Sequence, residues 1–551
     1  MKPELNIKAT FKYDWIFLLG ISLVTSAISP WWTSDGFNIP KLFFIVLLAF
    51  MILPNILSSG MFNQGLNYRK SLILTLLFPL NLFIILIFND TNKIQQFYGE
   101  FGRRTGLITY VSCYVIFLYT FYKSSKFFIN SIFKVFIGLG IFSATYGLIQ
   151  PLGVVRINNL ASKNMTPYSF FGNINFNSGF LGLVSILLIS VLFFNAKRRS
   201  KVFYFSLLML VYTYTAIYLT YSQQGFVVSF SGIVILTLIY VYKYNAKKNR
   251  FIFALLASIF LVAQFILGLF NRGLAANLIY EFSVQARNFY WKAGWEMAIH
   301  NPLMGIGLDR YGDWYWSYRD ANTIEVLGKD DFTNSGHSIF IDILSSGGFP
   351  LLITYLLFVI IVFTSGLKTI REMPGIDFQF TSLFTCWIGF NVYSIFSIGQ
   401  IGVLVWGWIF SGLIMGFNLN LSFNKYKKYS INQFNKNFLW GTIGVLIMIP
   451  ITQESIDFKN ALKINSSSGY VNYLDGNKIE PYGINIAATK INSFGLESKS
   501  LLYVNESLEK FPNNYDLWYL LFINKYATMD QKRLALENLQ RLNVLNRISS
   551  K

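Results

Sequence analysis

The sequence predicts an all-α fold: a polytopic membrane helix bundle with one long polar interval and a small helical tail. Of 551 residues, 54% are hydrophobic and only 13% charged, a balance foreign to ordinary soluble domains. Apolar runs of about 18 residues or more recur along the chain, each able to cross a roughly 30 Å hydrocarbon core as a helix. The formal charge of +20 comes from short basic clusters between those runs. That distribution belongs to connections on the cytoplasmic side of a membrane and not to a nucleic-acid surface, so the expected partners include membrane lipids and no nucleic acid.

About thirteen spans can be placed by apolar length. They lie near residues 15–30, 40–58, 71–89, 107–122, 127–150, 172–195, 202–221, 225–242, 251–270, 349–367, 379–397, 402–421 and 438–453. The first follows Lys2, Lys8 and Lys12 and could be a cleaved signal peptide, but no clear small-x-small site precedes Pro30, so it is read as a span. An odd number puts the two ends on opposite sides. With a cytoplasmic N-terminus every second connection should be basic, and Arg69-Lys70, Lys123 with Lys126, Lys197-Arg198-Arg199, Lys247-Lys248, Lys368 with Arg371, and Lys427-Lys428 fall in register. The expected division is a transmembrane unit over 1–453, containing a large outer-face loop at 271–348, and a tail over 454–551 on the same outer face. Cys113 and Cys386 lie inside apolar runs without zinc-type spacing, so they read as packing residues and no metal site is expected.

Outward loops should be poor in cations unless they hold something anionic. The exceptions are Arg103 and Arg104 in YGEFGRRTG, Arg156 and Lys163 after the fifth span, and Arg272, Arg287, Lys292, Arg310 and Arg319 in the long loop. These are candidate phosphate ligands; the alternative is pairing with Asp309, Asp313, Asp320 or lipid headgroups. The sixth span opens with Asn173, Asn175 and Asn177, amides that are costly in lipid and tolerable at a water-lined mouth. A tight turn between the seventh and eighth spans carries Ser222, Gln223, Gln224 and Gly225. Its amides either contact a sugar or cap helix ends.

Polar clusters in such chains are functional by default, and the largest lies in the long loop. ARNFYWKAGWEMAIHNP reads as a helix with Trp291, Trp295, Ala298 and Ile299 on one face, stopped at Asn301-Pro302. Tyr311, Trp314, Tyr315, Trp316 and Tyr318 follow, interleaved with Arg and Asp. Clustered aromatics can stack on sugars or form an interfacial belt; a belt alone does not need the interleaved charges, which favours a glycan or headgroup site. The chain has two histidines. His300, at a helix end before Pro302, reads as a cap interacting with the helix dipole. His337, in NSGHSIFIDILSSGG before the tenth span, can take a proton from a hydroxyl at neutral pH, given an ordinary pKa of about 6.5, or can be an interfacial side chain bonded to the loop.

The tail alternates polar and helical stretches. Leu502 with Leu536, and Leu508 with Leu542, are each 34 residues apart, a spacing of tetratricopeptide-like helical hairpins, and the helices that carry them are expected to pack against the Trp518 helix.

The succession of Arg287 with Tyr290-Trp291, then NPLMGIGLDRYG, then SGHSIFIDILSSGGFPLL returning into the membrane resembles the signature region of the O-antigen ligase and O-antigen polymerase superfamily of membrane glycosyltransferases. GNINFNSG at the sixth span is similar to the family's Gly-x-x-Asn segment. The resemblance implies a metal-independent, cofactor-free enzyme of the bacterial inner membrane, with a periplasmic active face and tail. It would move a glycan from an undecaprenyl diphosphate carrier to an acceptor hydroxyl, most simply on lipid A core or another glycan or protein, as a ligase of lipopolysaccharide or surface-glycan assembly. A polymerase or a protein O-oligosaccharyltransferase is the alternative within the superfamily, and a polysaccharide or lipid transporter the alternative outside it. By the same implication His337 is the base or the group that orients the acceptor, and Arg287 binds diphosphate, with Arg103, Arg104 and Arg156 as further candidates. Trp291, Tyr311, Trp314, Gln223 and Asn173 are the candidates for glycan or acceptor contact. Where many members carry Ser-Arg-Gly between the seventh and eighth spans, this chain has Ser222-Gln223-Gln224-Gly225, so one phosphate ligand is missing.

Overall fold

The computed structural model describes residues 7–59, 66–152, 167–244, 248–269, 271–274, 276, 282–417, 431–476 and 478–543, and these contain helices and no strand. Each apolar run falls on a helix, from Ile7–Ser26 and Ile39–Leu57 through to Ile401–Phe417 and Ile431–Ile464. Among the described residues eight helices are long and apolar enough to cross a membrane, and four shorter apolar helices accompany them. The protein is a multi-pass membrane helix bundle.

Two of the shorter helices, Leu107–Tyr122 and Ile401–Phe417, form the centre, the second buried along its length from Ile401 to Gly416. Small residues make their approach close. A Cβ at Gly412 would collide with the Thr120 hydroxyl and the Phe117 carbonyl, and one at Gly416 with Phe121 and Ser124. Because lipid tails are as apolar as leucine, such backbone proximity is what holds membrane helices together. Lys41 is buried at the start of the second helix, where its Nζ donates to the carbonyls of Ala27 (2.9 Å), Phe37 (3.0 Å) and Phe170 (2.7 Å). Its charge is satisfied by three peptide dipoles and fastens three segments together.

The helix Ile339–Glu372 is broken at Gly347 (φ −136°) and Gly348 (φ +65°), just before Pro350. The break leaves a short outer helix, 339–346, and a membrane span beyond it. The freed backbone groups are not left open: Ile306 N donates to Ser345 O (2.9 Å), Gly307 N to Ser346 O (3.2 Å) and Phe349 N to Pro302 O (2.9 Å). A side chain at Gly348 would meet the Pro302 carbonyl, so glycine is required both by conformation and by space. The NPLMGIG turn is thereby sutured to the SSGG break, and the loop is fixed to the bundle.

The last long helix, Ile431–Ile464, runs straight through the boundary expected at 453/454. A second hydrophobic core, separate from that of the bundle, begins at Phe458 and continues to Leu542. Its helices Ser467–Asp475, Pro481–Ser493, Glu497–Lys510, Tyr515–Ile523 and Met529–Leu542 pack each against the next. The last opens with a capping box between Thr528 and Gln531. Of the two leucine pairs spaced by 34, Leu508 and Leu542 are buried, whereas Leu502 and Leu536 are 56% and 43% exposed. Leu502 and Leu536 lie on the solvent side because Tyr503, Val504, Ala535 and Leu539 take the inward positions, while both of their helices pack against the Trp518 helix, Tyr515–Ile523.

Candidate active site

The loop helix Phe282–His300 lies against the outer helix 339–346 through its smallest residues. Ala293, Gly294, Met297 and Ala298 are buried, and a Cβ at Gly294 would strike Ile341. The buried face is therefore the small-residue face. Of the residues expected to share one face of this helix with Trp291, Ala298 is buried while Trp295 and Ile299 are about half exposed, at 47% each.

Trp291 and Arg287, one turn apart on this helix, line a cavity of about 280 Å³ closed by the start of the helix Ile174–Asn195 and by the turn 221–224. Asn175, Ser222, Gln223 and Gln224 complete its polar wall. The turn is held from behind: Gly225 N donates to Ser178 Oγ (2.9 Å), Ser222 Oγ to Asn175 Oδ1 (2.7 Å), and a Cβ at Gly182 would fill the space taken by the Gly225 backbone. Three of the residues that line the cavity have unsatisfied polar atoms. Gln224 Nε2 and Oε1, Trp291 Nε1 and Arg287 Nε are buried without a hydrogen-bond partner. Arg287 Nη1 donates to Ser283 O (3.0 Å), and burial lowers its pKa, opposed only by Tyr290. Buried donors left open in this way cost free energy unless a ligand completes them.

His337 sits at φ +51°, a left-handed backbone that a side chain adopts at a cost of about 1–2 kcal/mol. A network over-determines it. Asp342 accepts from Ser335 Oγ (2.8 Å) and Gly336 N (2.8 Å), Ser335 Oγ accepts from His337 N (2.9 Å), and Arg103 pairs with Asp342 (3.2 Å) while donating to Asn334 O. The imidazole stacks on Tyr290, 5.3 Å between centroids at 27°, on the same helix as Arg287 and Trp291. Burial, then the cations Arg287 and Arg103, hold its pKa down to about 3. The free site therefore holds a neutral imidazole, and its titration lies well below the ordinary histidine range expected from sequence.

Arg103 and Arg104 are both paired with protein carboxylates. Arg103 bridges Asp309 (2.9 Å) and Asp342, and Arg104 pairs with Asp35 (3.1 Å) and Glu480 (2.7 Å), all four carboxylates buried. This corrects their reading as phosphate ligands: their charge is already matched, and Arg103 instead positions the His337 loop. Tyr311 is buried and donates to Tyr290 O (2.5 Å) inside the loop's own core, so it is no glycan contact either. Trp314 is half-buried beneath Arg541, whose guanidinium lies 5.9 Å from its ring. Asn173 caps its helix, accepting from Asn175 N (2.8 Å), and the cavity is lined by Asn175 in its place. Arg310 pairs with Asp313 and Lys292 with Asp320. Arg156 and Lys163 lie outside the described residues. His300 is exposed, its Nδ1 2.8 Å from Glu296 O at the helix end, as a capping residue should be. Among the described residues no group of His, Cys, Asp and Glu is placed to hold a metal ion.

Sequence reasoning offers both amides of the turn, Gln223 and Gln224, as sugar contacts, and both line the cavity; of the alternate asparagines it carries Asn173 forward, whereas Asn175 lines the cavity. The site combines one uncompensated guanidinium, an open amide, an open indole N–H and a neutral imidazole. That set can grip an anionic leaving group and accept a proton nearby. Residues 208–356 match a family described as O-antigen ligase, a stretch holding Gln223, Gln224, Arg287, Trp291 and His337 but neither Arg103 nor Arg104. No curated protein matches the chain.

Proposed function

We infer, from the match of residues 208–356 to a family described as O-antigen ligase, that the protein transfers a glycan from an undecaprenyl diphosphate carrier to an acceptor hydroxyl, at the periplasmic face of the bacterial inner membrane. The N-terminus would be cytoplasmic and the tail periplasmic, and the acceptor lipid A core or a related glycan. The observation that carries this reading is the cavity wall formed by Arg287, Gln224 and Trp291, whose buried donors have no protein partner.

In the transfer the anomeric carbon exchanges its bond to diphosphate oxygen for a bond to the acceptor oxygen. The electron pair leaves with the diphosphate, and the acceptor proton goes to His337. Arg287 neutralises the leaving group with a planar fork suited to phosphate oxygens, and this stabilisation grows as charge develops. Gln224 and Gln223 supply neutral donors where the resemblance implies an arginine, so the grip here is amide-rich. His337 is a weak base in the free protein, because burial and, after it, the cations Arg287 and Arg103 depress it. A bound diphosphate cancels the Arg287 field and raises the imidazole's affinity for a proton. Donor binding would thus prepare the base, and the acceptor would be deprotonated only when a donor is in place.

The test is reconstitution: purified protein, an undecaprenyl diphosphate glycan, and separately lipid A core, a second carrier-linked repeat and a serine-rich peptide, with products resolved by mass. Transfer to lipid A core alone is the expected result, and transfer to the second repeat or the peptide would replace the acceptor. No transfer to any of them would end the reading. A cysteine replacing exposed Ser498 should be labelled from the periplasm by an impermeant reagent, and one replacing exposed Lys197 should not.

A further inference from the structure

A second and larger cavity, of about 450 Å³, lies where the tail meets the outer loops. Its walls come from three distant parts of the sequence: residues 99–102, the helix Tyr311–Tyr318, and the tail helices beginning at Pro481 and Tyr515. The aromatic wall includes Phe101 stacked on Tyr482 (3.9 Å, 12°) and Trp316 set edge-on to Tyr515 (4.7 Å, 89°). The polar wall is incomplete. Arg310 is buried, with Nε donating to Asp313 (2.8 Å) but Nη1 without a hydrogen-bond partner; Glu100 Oε2 and Asn485 Oδ1 are likewise buried and open.

The charges lining this cleft are four carboxylates, Glu100, Asp313, Glu480 and Asp516, against one arginine, Arg310. Burial pushes the carboxyls of Glu100 and Asp516 up, the latter also through Asp313. Glu480 is paired with Arg104 and Asp313 with Arg310, so the wall offers phosphate no unpaired cation and suits a neutral or amine-bearing ligand. One open donor and two open acceptors beside flat rings are what a polyhydroxylated ring needs: its hydroxyls both give and receive, and its C–H face packs on aromatic carbon. A mostly apolar concavity with aromatic rings and few convergent polar groups is also the general form of small-ligand sites.

We propose that this cleft binds a short neutral or amine-bearing saccharide, through ring stacking on Tyr482 and Trp316 and hydroxyl contacts to Arg310, Glu100 and Asn485. That the saccharide belongs to the acceptor rests on the glycan-transfer reading above; the binding itself does not. Asn334, on the cleft wall, is three residues from His337 and its carbonyl is held by Arg103, so the cleft and the candidate base share one loop.

The experiment uses the full chain in nanodiscs, with cellobiose and a glucosamine disaccharide as probes and saturation-transfer NMR as readout. Binding of millimolar affinity is expected. Tyr482→Ala should weaken it about tenfold, the scale of one lost ring contact, while Tyr482→Phe and Arg287→Lys leave it unchanged. Inorganic pyrophosphate should not compete. The proposal is overturned by absence of millimolar binding, by binding indifferent to Tyr482→Ala in a protein with wild-type thermal unfolding, or by trilysine displacing the disaccharides, which would make the cleft a basic-peptide site. Disaccharide binding that depends on Tyr482 in a protein inactive on every acceptor would support the cleft and count only against glycan transfer.

Discussion

The two cavities differ in kind as well as in place. The one beneath the loop helix has a single arginine, amides and an indole, with no carboxylate in its lining; the one beside the tail has four carboxylates to one arginine and a larger share of aromatic wall. The first is suited to an anion that leaves, the second to a hydroxylated ring that arrives. The difference teaches that charge count in a loop says little until each cation's partner is known, because Arg103, Arg104, Lys292, Arg310 and Arg319 are all held by groups of the protein itself.

The sharpest way to break the comparison is at the loop between the cavities. His337→Ala should lower turnover by about a hundred- to ten-thousandfold, the usual range for a lost general base, with binding in both cavities retained; a folded variant with near wild-type turnover would remove His337 from the chemistry. Arg287→Lys keeps the charge and loses the bidentate fork, so transfer should fall by about ten- to a hundredfold, as measured by product formation. Unchanged transfer would mean that the first cavity does not hold diphosphate.

The pH profile sharpens the same point. Since burial and two cations hold the free imidazole down to about 3, the acid limb of kcat/KM should lie well below the ordinary histidine range. Activity is lost as pH falls through that pKa, because only the neutral ring accepts a proton. If donor binding cancels the Arg287 field, the acid limb of kcat lies higher than that of kcat/KM by roughly a unit or more. Coincident limbs would exclude the coupling. A smaller effect is expected from Gln223→Arg, which restores a cation to the amide-rich turn and should tighten pyrophosphate binding by up to about fivefold, without altering disaccharide binding. His300→Ala, at an exposed helix end, should change activity by less than about twofold; a large loss would make it more than a cap.

The helices are legible in the sequence because apolar run length is a local property, and each run forms a helix. The special residues of the loop are legible in part. Arg287 and His337 lie in short motifs whose neighbours already suggest them, and Trp291 stands out for the same reason. Arg103 and Arg104 mislead because most of their partners, Asp309, Asp342 and Glu480, are hundreds of residues away, and nothing local distinguishes a cation awaiting phosphate from one awaiting a carboxylate. Tyr311 misleads for a related reason: an aromatic in a polar loop looks available until the loop acquires a core of its own. The break at Gly347-Gly348 is visible in the sequence only as a glycine pair, whereas its partner, the Asn301-Pro302 turn, reads there merely as a helix stop.

The adjacent pair Arg103-Arg104 divides its attention between two territories. Arg103 holds Asp309 and Asp342 of the loop, and Arg104 holds Glu480 of the tail together with Asp35 of the first outer connection. Removing one partner of a buried pair typically costs about 3–5 kcal/mol, so neither territory can drift in sequence independently of this dipeptide. A recombinant that imports a foreign loop or a foreign tail must import the matching carboxylates with it. The heritable unit of specificity is therefore a set of four scattered segments, and grafting the contiguous 271–348 stretch alone should yield chains that fail to assemble.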